Sequence, residues 1–259
     1  MISITDAQLQ LWLAMLIWPL ARVLGFIMSA PFISETGIPV TAKILFGSVL
    51  TLAIAPMIGP LPAVTVGSWD GLGILVREVF IGVSLGLILQ VMFSAVSLAS
   101  ELAATQMGLG FASLYDPNSE SSTTALSALM VALSGLVFFA IDGHLAMFGA
   151  LVQTFKTLPI AEVGLKSGGL QMLTAYGGVL CLHGLVMAMP ITITLIIVNL
   201  SLGMLSKAAP QLNLFSIGFP VTLATGLFMV LIGLPGWLRA FDKLWEVALD
   251  GIARSASAL

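Results

Sequence analysis

The side chains in this sequence that could carry chemistry are two histidines, one cysteine and a thin scatter of charges. His144 and His183 lie far apart, no HExxH or GxSxG string occurs, and no two carboxylates fall at helical spacing inside an apolar block. Cys181 and His183 are two residues apart, so a helix points them to different faces and they do not form a nucleophile and its base. His183 reads instead as a buried, satisfied histidine, and Asp142 and His144, on either side of Gly143, read as turn residues. The glycines of QMGLGFA follow no strand and precede no Lys-Ser or Lys-Thr, which removes a phosphate-cradling loop. A single cysteine excludes an internal disulfide framework and a Cys-based zinc site. The expectation is a protein that is not an enzyme and that carries neither metal nor cofactor.

The remaining polar residues matter for where they sit. With 59% hydrophobic and 8% charged residues and a mean hydropathy of +1.12, against about 25% charged in soluble domains, the chain reads as an integral membrane protein. A net charge of -3, with nine Lys and Arg that do not cluster, leaves no cationic face for nucleic acid. Arg22 and Glu101 are the charges that fall within this apolar body. An arginine near a helix centre costs about 2.5–3.5 kcal/mol, so Arg22 either faces protein or water or snorkels to an interface. Glu101 opens the string ELAATQMGLGFASLYDPNSESS, which runs to Ser122 between two long apolar stretches. Gly108 and Gly110 loosen a helix entering it, Pro117 forbids one continuing, and Asp116, Asn118 and Glu120 need water or partners. The segment is either an ordinary external loop or the lining of a path, because irregular backbone at membrane depth survives only inside protein or beside a wet cavity.

Six apolar blocks have to position these residues, at about 9–33, 44–58, 72–98, 123–158, 170–205 and 221–241. A span needs roughly 20 apolar residues, so the pattern predicts an all-α membrane protein of about six helical blocks, several kinked or broken into hairpins. The N-terminal string MISITDAQLQLW has no basic n-region, so the first block reads as retained in the mature protein. The third block opens with the unlike neighbours Arg77 and Glu78 and continues with Gly82, Gly86, Gln90 and Ser94 every four residues. Such a stripe lets helices approach closely, or lines a conduit with Gln90 as its polar marker. Asp142-Gly143-His144 predicts a bend or two half-length helices, and Pro190 a kinked helix or a broken pair. A second polar interruption, NLSLGMLSKAAPQLNLFSIGFP, carries Lys207, Pro210, Gln211, Asn213 and Pro220. After it, Leu244, Val247, Ala248 and Ile252 share one face of an amphipathic tail expected to lie on a membrane surface or another subunit. Counted as six spans, the basic residues put both termini in the cytoplasm. Two polar interruptions in an apolar body suit a small-solute transporter with broken helices or one subunit of a larger pore, and the pattern favours neither.

Four strings carry a resemblance over nearly the full length: ARVLGFIMSAPFISETGIP from Ala21, LTLAIAP from Leu50, ELAATQMGLGFASLYDPNS from Glu101 and NLSLGMLSKAAPQLNLFSIGFP from Asn199. Together they resemble the FliR family of the flagellar type III protein-export apparatus. The resemblance implies an export-gate subunit in a multi-subunit helical complex with the P-type and Q-type flagellar export proteins, with FlhB and FlhA nearby, passing unfolded flagellar subunits. It implies a place in the bacterial inner membrane at the flagellar basal body. It further implies a single membrane-embedded domain over 1–259, with a P-like part to about 158 and a Q-like part from about 159. In such proteins the central loop is implicated in plugging the pore. By motif that loop is here Gln106 to Ser122, with Gln106, Met107, Gly108, Gly110, Phe111, Leu114, Tyr115, Asp116 and Pro117 as its plug residues. Gly82, Gly86, Gln90, Pro210, Gln211, Asn213 and Phe215 are the expected subunit contacts. The alternative is a stand-alone secondary transporter for a small solute.

Overall fold

A computed structural model describes residues 6–111, 123–160, 167–209 and 214–258, and among these residues all regular structure is helical. The long helices are α1 Asp6–Ser29, α2 Val40–Ile54, α3 Trp69–Gln106, α4 Ala125–Ala140, α5 Gly143–Thr157, α6 Ser167–Ala208 and α7 Leu214–Ala258. Among the described residues five stretches are long and apolar enough to cross a bilayer, and α4 with α5 makes a sixth if that bent pair counts as one span. The bend between them is 68°. Asp142, at φ 56°, turns the chain there, so the expected bend and the expected half-length helices are both present.

Two compact units are present, each assembled from discontinuous segments. The first comprises Met1–Val91, Gly143–Gly178 and Val247–Leu259, and the second Met92–Asp142 and Val179–Glu246.

In the first unit α1 packs on α3 through glycines. A Cβ on Gly25 would lie 2.7 Å from the Val79 carbonyl oxygen, while one on Gly82 would meet the Arg22 carbonyl and one on Gly86 the Ser29 hydroxyl. Such bare positions let two backbones approach where side chains would hold them apart. Ser68 caps α3, its hydroxyl accepting from the Gly71 N–H at 3.1 Å. The Gly71 carbonyl then accepts from the indole N–H of buried Trp18 at 3.3 Å. The turn between α1 and α2 is tied by the Lys43 ammonium, which donates to the Ser34 and Glu35 carbonyls at 2.9 Å each.

The second unit is built on aromatic contacts. Phe93 meets Phe138 at 5.6 Å and Phe241 at 5.8 Å, and Phe138 meets Trp245 at 5.1 Å between ring centroids. Gly184 of α6 lies against Ala95, where a Cβ would be 2.6 Å from a backbone oxygen.

Two elements differ from the sequence expectation, and α6 takes one of its two expected forms. Helix α3 continues past Leu98 to Gln106, so the first polar residues of the central interruption are helical. Helix α6 is one helix of 42 residues with Pro190 inside it rather than a broken pair. Helix α7 runs 45 residues and absorbs the amphipathic tail, whose Leu244, Ala248 and Ile252 are buried within the chain. That face is therefore not offered to a membrane surface or another subunit.

Candidate functional site

Arg22 and Glu101, the two charges singled out in the sequence, sit at different places in the fold. Arg22, on α1, is completely buried. Its Nε donates to Glu78 Oε2 at 2.6 Å, Nη1 to the Thr154 hydroxyl at 3.3 Å and Nη2 to the Leu158 carbonyl at 2.9 Å. The guanidinium also lies over the Phe155 ring, 4.3 Å from its centroid. Snorkelling is thereby excluded, because the side chain is fully buried and all three of its nitrogens donate inside the first unit. Glu78 is equally buried, and its Oε1 lies 3.7 Å from Arg77 Nη1. Removing two charges from water is tolerable only with close pairing and further hydrogen bonds, and α5 supplies those bonds at its last turn and just beyond. The sequence reading noted Glu78 only beside Arg77. The missed signal is that Arg22 and Glu78 each lie inside an apolar block and carry opposite charge.

Glu101 lies in the second unit, half-buried, in the last turns of α3. Its Oε2 accepts the Thr124 N–H at 3.2 Å and the Thr124 hydroxyl at 2.9 Å. Thr124 is the N-cap of α4 and accepts in turn from the Ser127 N–H at 3.3 Å. At the other end of the segment, α3 stops through Gly108 at φ 84°, a left-handed position that glycine adopts without strain. The Met107 carbonyl accepts from the Thr222 hydroxyl of α7 at 3.3 Å, and the Gln106 carbonyl from Asn199 Nδ2 of α6 at 3.4 Å. Met107 is wholly buried, with its sulfur 2.8 Å from where a Cβ on Gly226 would stand. A side chain at position 226 and Met107 therefore compete for one space.

The expected plug residues thus divide. Gln106, Met107 and Gly108 form the anchored neck on the α3 side, and Gly110 and Phe111 lie in a short 3-10 turn, Leu109–Phe111. Leu114, Tyr115, Asp116 and Pro117 lie outside the described residues. Met107 is a core residue of the second unit rather than a lumen-facing one. Of the expected subunit contacts, Gly82 and Gly86 are taken up by α1 of the same chain, because backbone atoms of α1 already fill the space beside them. Gln90 is half-buried, and its Oε1 has no hydrogen-bond partner among the described residues. Pro210, Gln211 and Asn213 lie outside the described residues, and Phe215 falls in the first turn of α7.

His183 is satisfied within its own helix, its Nδ1 2.8 Å from the Val179 carbonyl, but it is half-exposed rather than buried. Among the described residues no group of three or more His, Cys, Asp or Glu side chains is placed to hold a metal.

Comparison with known proteins adds the following. Residues 13–248 match the family described as bacterial export proteins, family 1. The chain is 40% identical over 235 residues, 91% of its length and 90% of the relative's, to the flagellar biosynthetic protein FliR of Escherichia coli K12. It is 37% identical over 242 residues, 93% and 92% of the two chains, to FliR of Pectobacterium carotovorum. FliR of Buchnera aphidicola, from the pea-aphid strain, is 29% identical over 246 residues, 95% of each chain.

Proposed function

Because the chain belongs to the bacterial export proteins of family 1, as a member of the FliR family, we propose that it closes a protein-conducting pore with the segment between α3 and α4. It is a membrane-embedded component of the flagellar export apparatus, and that membership displaces the stand-alone solute transporter. The observation that carries the finer reading is the neck of the central segment. Both ends are tied into the second unit, at Glu101 with Thr124 and at Met107 with Thr222, while the string between them holds Phe111, Leu114 and Tyr115 beside flexible glycines. A passage for an unfolded chain has to be sealed against ions at rest, and an anchored loop carrying large apolar side chains suits that task.

The partners of this reading are the P-type and Q-type flagellar export proteins, with FlhB and FlhA nearby, in the inner membrane at the basal body. The chain acts as structure and seal, with the work of export done by other components. Subunit contacts fall at 210–215 and at the half-buried Gln90. Exposed apolar side chains of α6 and α7, including Val186, Ile197, Leu200, Phe228 and Leu231, suit lipid or partner helices. The division into a P-like part to about 158 and a Q-like part beyond it is a statement of likeness to partner chains rather than of packing units.

Deleting Gly110 to Ser119 tests the seal: the apparatus should still assemble, and resting ion conductance should rise. Conductance equal to that of the intact chain would remove the plug. Substitutions across 210–215 should reduce co-purification with the P-type partner, and an undiminished complex would count against that contact.

A further inference from the structure

We propose that Glu101 is a releasable anchor for the first turn of α4, a role that rests on the plug reading above. The first N–H groups of any helix lack helical partners. At α4 Thr124 caps one of them, accepting from the Ser127 N–H at 3.3 Å. In the reciprocal form of this cap, a glutamate at the third helical position accepts from the N–H of the capping residue. Here that third position is Ser127, and the glutamate comes from another helix: Glu101 of α3 takes both the N–H and the hydroxyl of Thr124. One turn back along α3, the Ser97 carbonyl accepts from the Ser127 hydroxyl at 3.3 Å, and the two hydroxyl oxygens are 3.2 Å apart. Ser97 and Glu101 on α3 thus meet Ser127 and Thr124 on α4 as a short polar ladder.

The two ends of the segment differ in what it takes to part them. At the α3 end, bonds to the Gln106 and Met107 carbonyls come from two separate helices, and the Met107 side chain fills the space over Gly226. Freeing that end means moving α6 and α7. At the α4 end, the two Thr124 bonds come from one residue and reach one oxygen, so a single rotation of the Glu101 side chain breaks them and leaves the Ser127–Ser97 bond one turn further in. No described cation forms an ion pair with Glu101, so among the described residues its carboxylate is held by neutral donors. The asymmetry assigns release to the α4 end.

The test is a reversible lock. In a chain with Cys181→Ser, the pair Ser97→Cys and Ser127→Cys is placed in the assembled apparatus of swimming cells. Secretion of flagellar subunits should fall at least tenfold on oxidation and recover on reduction. Undiminished secretion with the pair fully oxidised overturns the anchor, and so does failure of the pair to oxidise, since that denies the Ser97–Ser127 contact. If the reduced pair itself fails to secrete, a second arm decides. Glu101→Ala should raise the resting ion leak several-fold, whereas Glu101→Gln, which keeps an acceptor for Thr124, should stay near the native level. A native leak in Glu101→Ala, or an equal leak in both variants, overturns the proposal. Deletion of Gly110 to Ser119 separates the two ideas. A tight deletion removes the plug, with the oxidation result still scoring the anchor. A leaky deletion beside an oxidised pair that secretes leaves the plug standing without the anchor.

Discussion

In the first unit the guanidinium of Arg22 meets a carboxylate, a hydroxyl, a carbonyl and an aromatic face, whereas in the second the carboxylate of Glu101 meets one threonine. The first arrangement is hard to exchange: Arg22 and Glu78 are both fully buried, losing Glu78 takes the close counter-charge from Arg22, and losing Arg22 leaves Glu78 the longer 3.7 Å contact to Arg77. The second is easier to exchange, since Glu101 and Thr124 are both half-buried and water can compete for their bonds. One charge serves permanence and the other serves change. The largest expected effect follows from this. Arg22→Ala or Glu78→Ala should each destabilise the chain by about 3–5 kcal/mol, the usual result of orphaning one member of a buried pair. Arg22→Met combined with Glu78→Leu should recover most of that loss. The measurement is the level of the chain in membranes together with its heat-induced aggregation in detergent. A double variant no better than the singles would show that the charges do more than satisfy each other.

The glycines sharpen the same contrast between filled and open surroundings. Gly82→Val and Gly86→Val drive side-chain atoms into the backbone or hydroxyl of α1, and overpacking of this kind costs about 1–3 kcal/mol. Gly203→Ala and Gly233→Ala meet nothing within 4 Å, and in a helix interior they should be neutral or stabilise by about 0.5–1 kcal/mol. Heat stability of the four variants in one detergent gives the ranking. In the neck, Thr222→Val removes the hydroxyl that holds the Met107 carbonyl, for a loss of about 1 kcal/mol. Its diagnostic readout is alkylation of a cysteine placed at Leu109, which should quicken in Thr222→Val and stay unchanged in Thr105→Val, whose hydroxyl bonds the Leu102 carbonyl of its own helix.

Membrane character, the six apolar blocks and the bend at Gly143 were legible in the sequence because each rests on local composition or on one residue type. The close packing of Gly82 and Gly86 was legible as a stripe, but its partner was not: a glycine marks a place for close approach without naming what approaches. For the same reason Arg22 could be recognised as a costly charge in an apolar block while Glu78, 56 residues away, was not matched to it. The tail of α7 misled because an amphipathic face is the same signal whether it meets lipid, a second chain or the interior of its own. Met107 was assigned with the loop near whose start it stands, yet the bare position that receives it, Gly226, lies in a different helix. The side chains of the motif told of the loop, and the fold alone told where the loop is held.

The smallest effect is expected at the exposed cluster of the first unit, where Asp250 accepts from the Tyr176 hydroxyl and from Arg254 Nε at 2.8 Å each. The pair looks as well formed as Arg22 with Glu78, but the Arg254 and Asp250 side chains are 64% and 47% exposed. Water competes for each charge, and holding two long side chains in one pose offsets most of the attraction. Arg254→Gln should therefore leave heat stability of the isolated chain unchanged within error. Gly251→Val should be felt more, because the Tyr176 ring lies 2.8 Å from where a Cβ at 251 would stand. The same two variants read differently in the assembled apparatus. If Arg254→Gln is silent in the isolated chain yet weakens the complex, this carboxylate and guanidinium are covered by a neighbouring subunit. If it is silent in both, the cluster faces water or lipid headgroups, and Tyr176 over Gly251 is the contact that holds this end of α7.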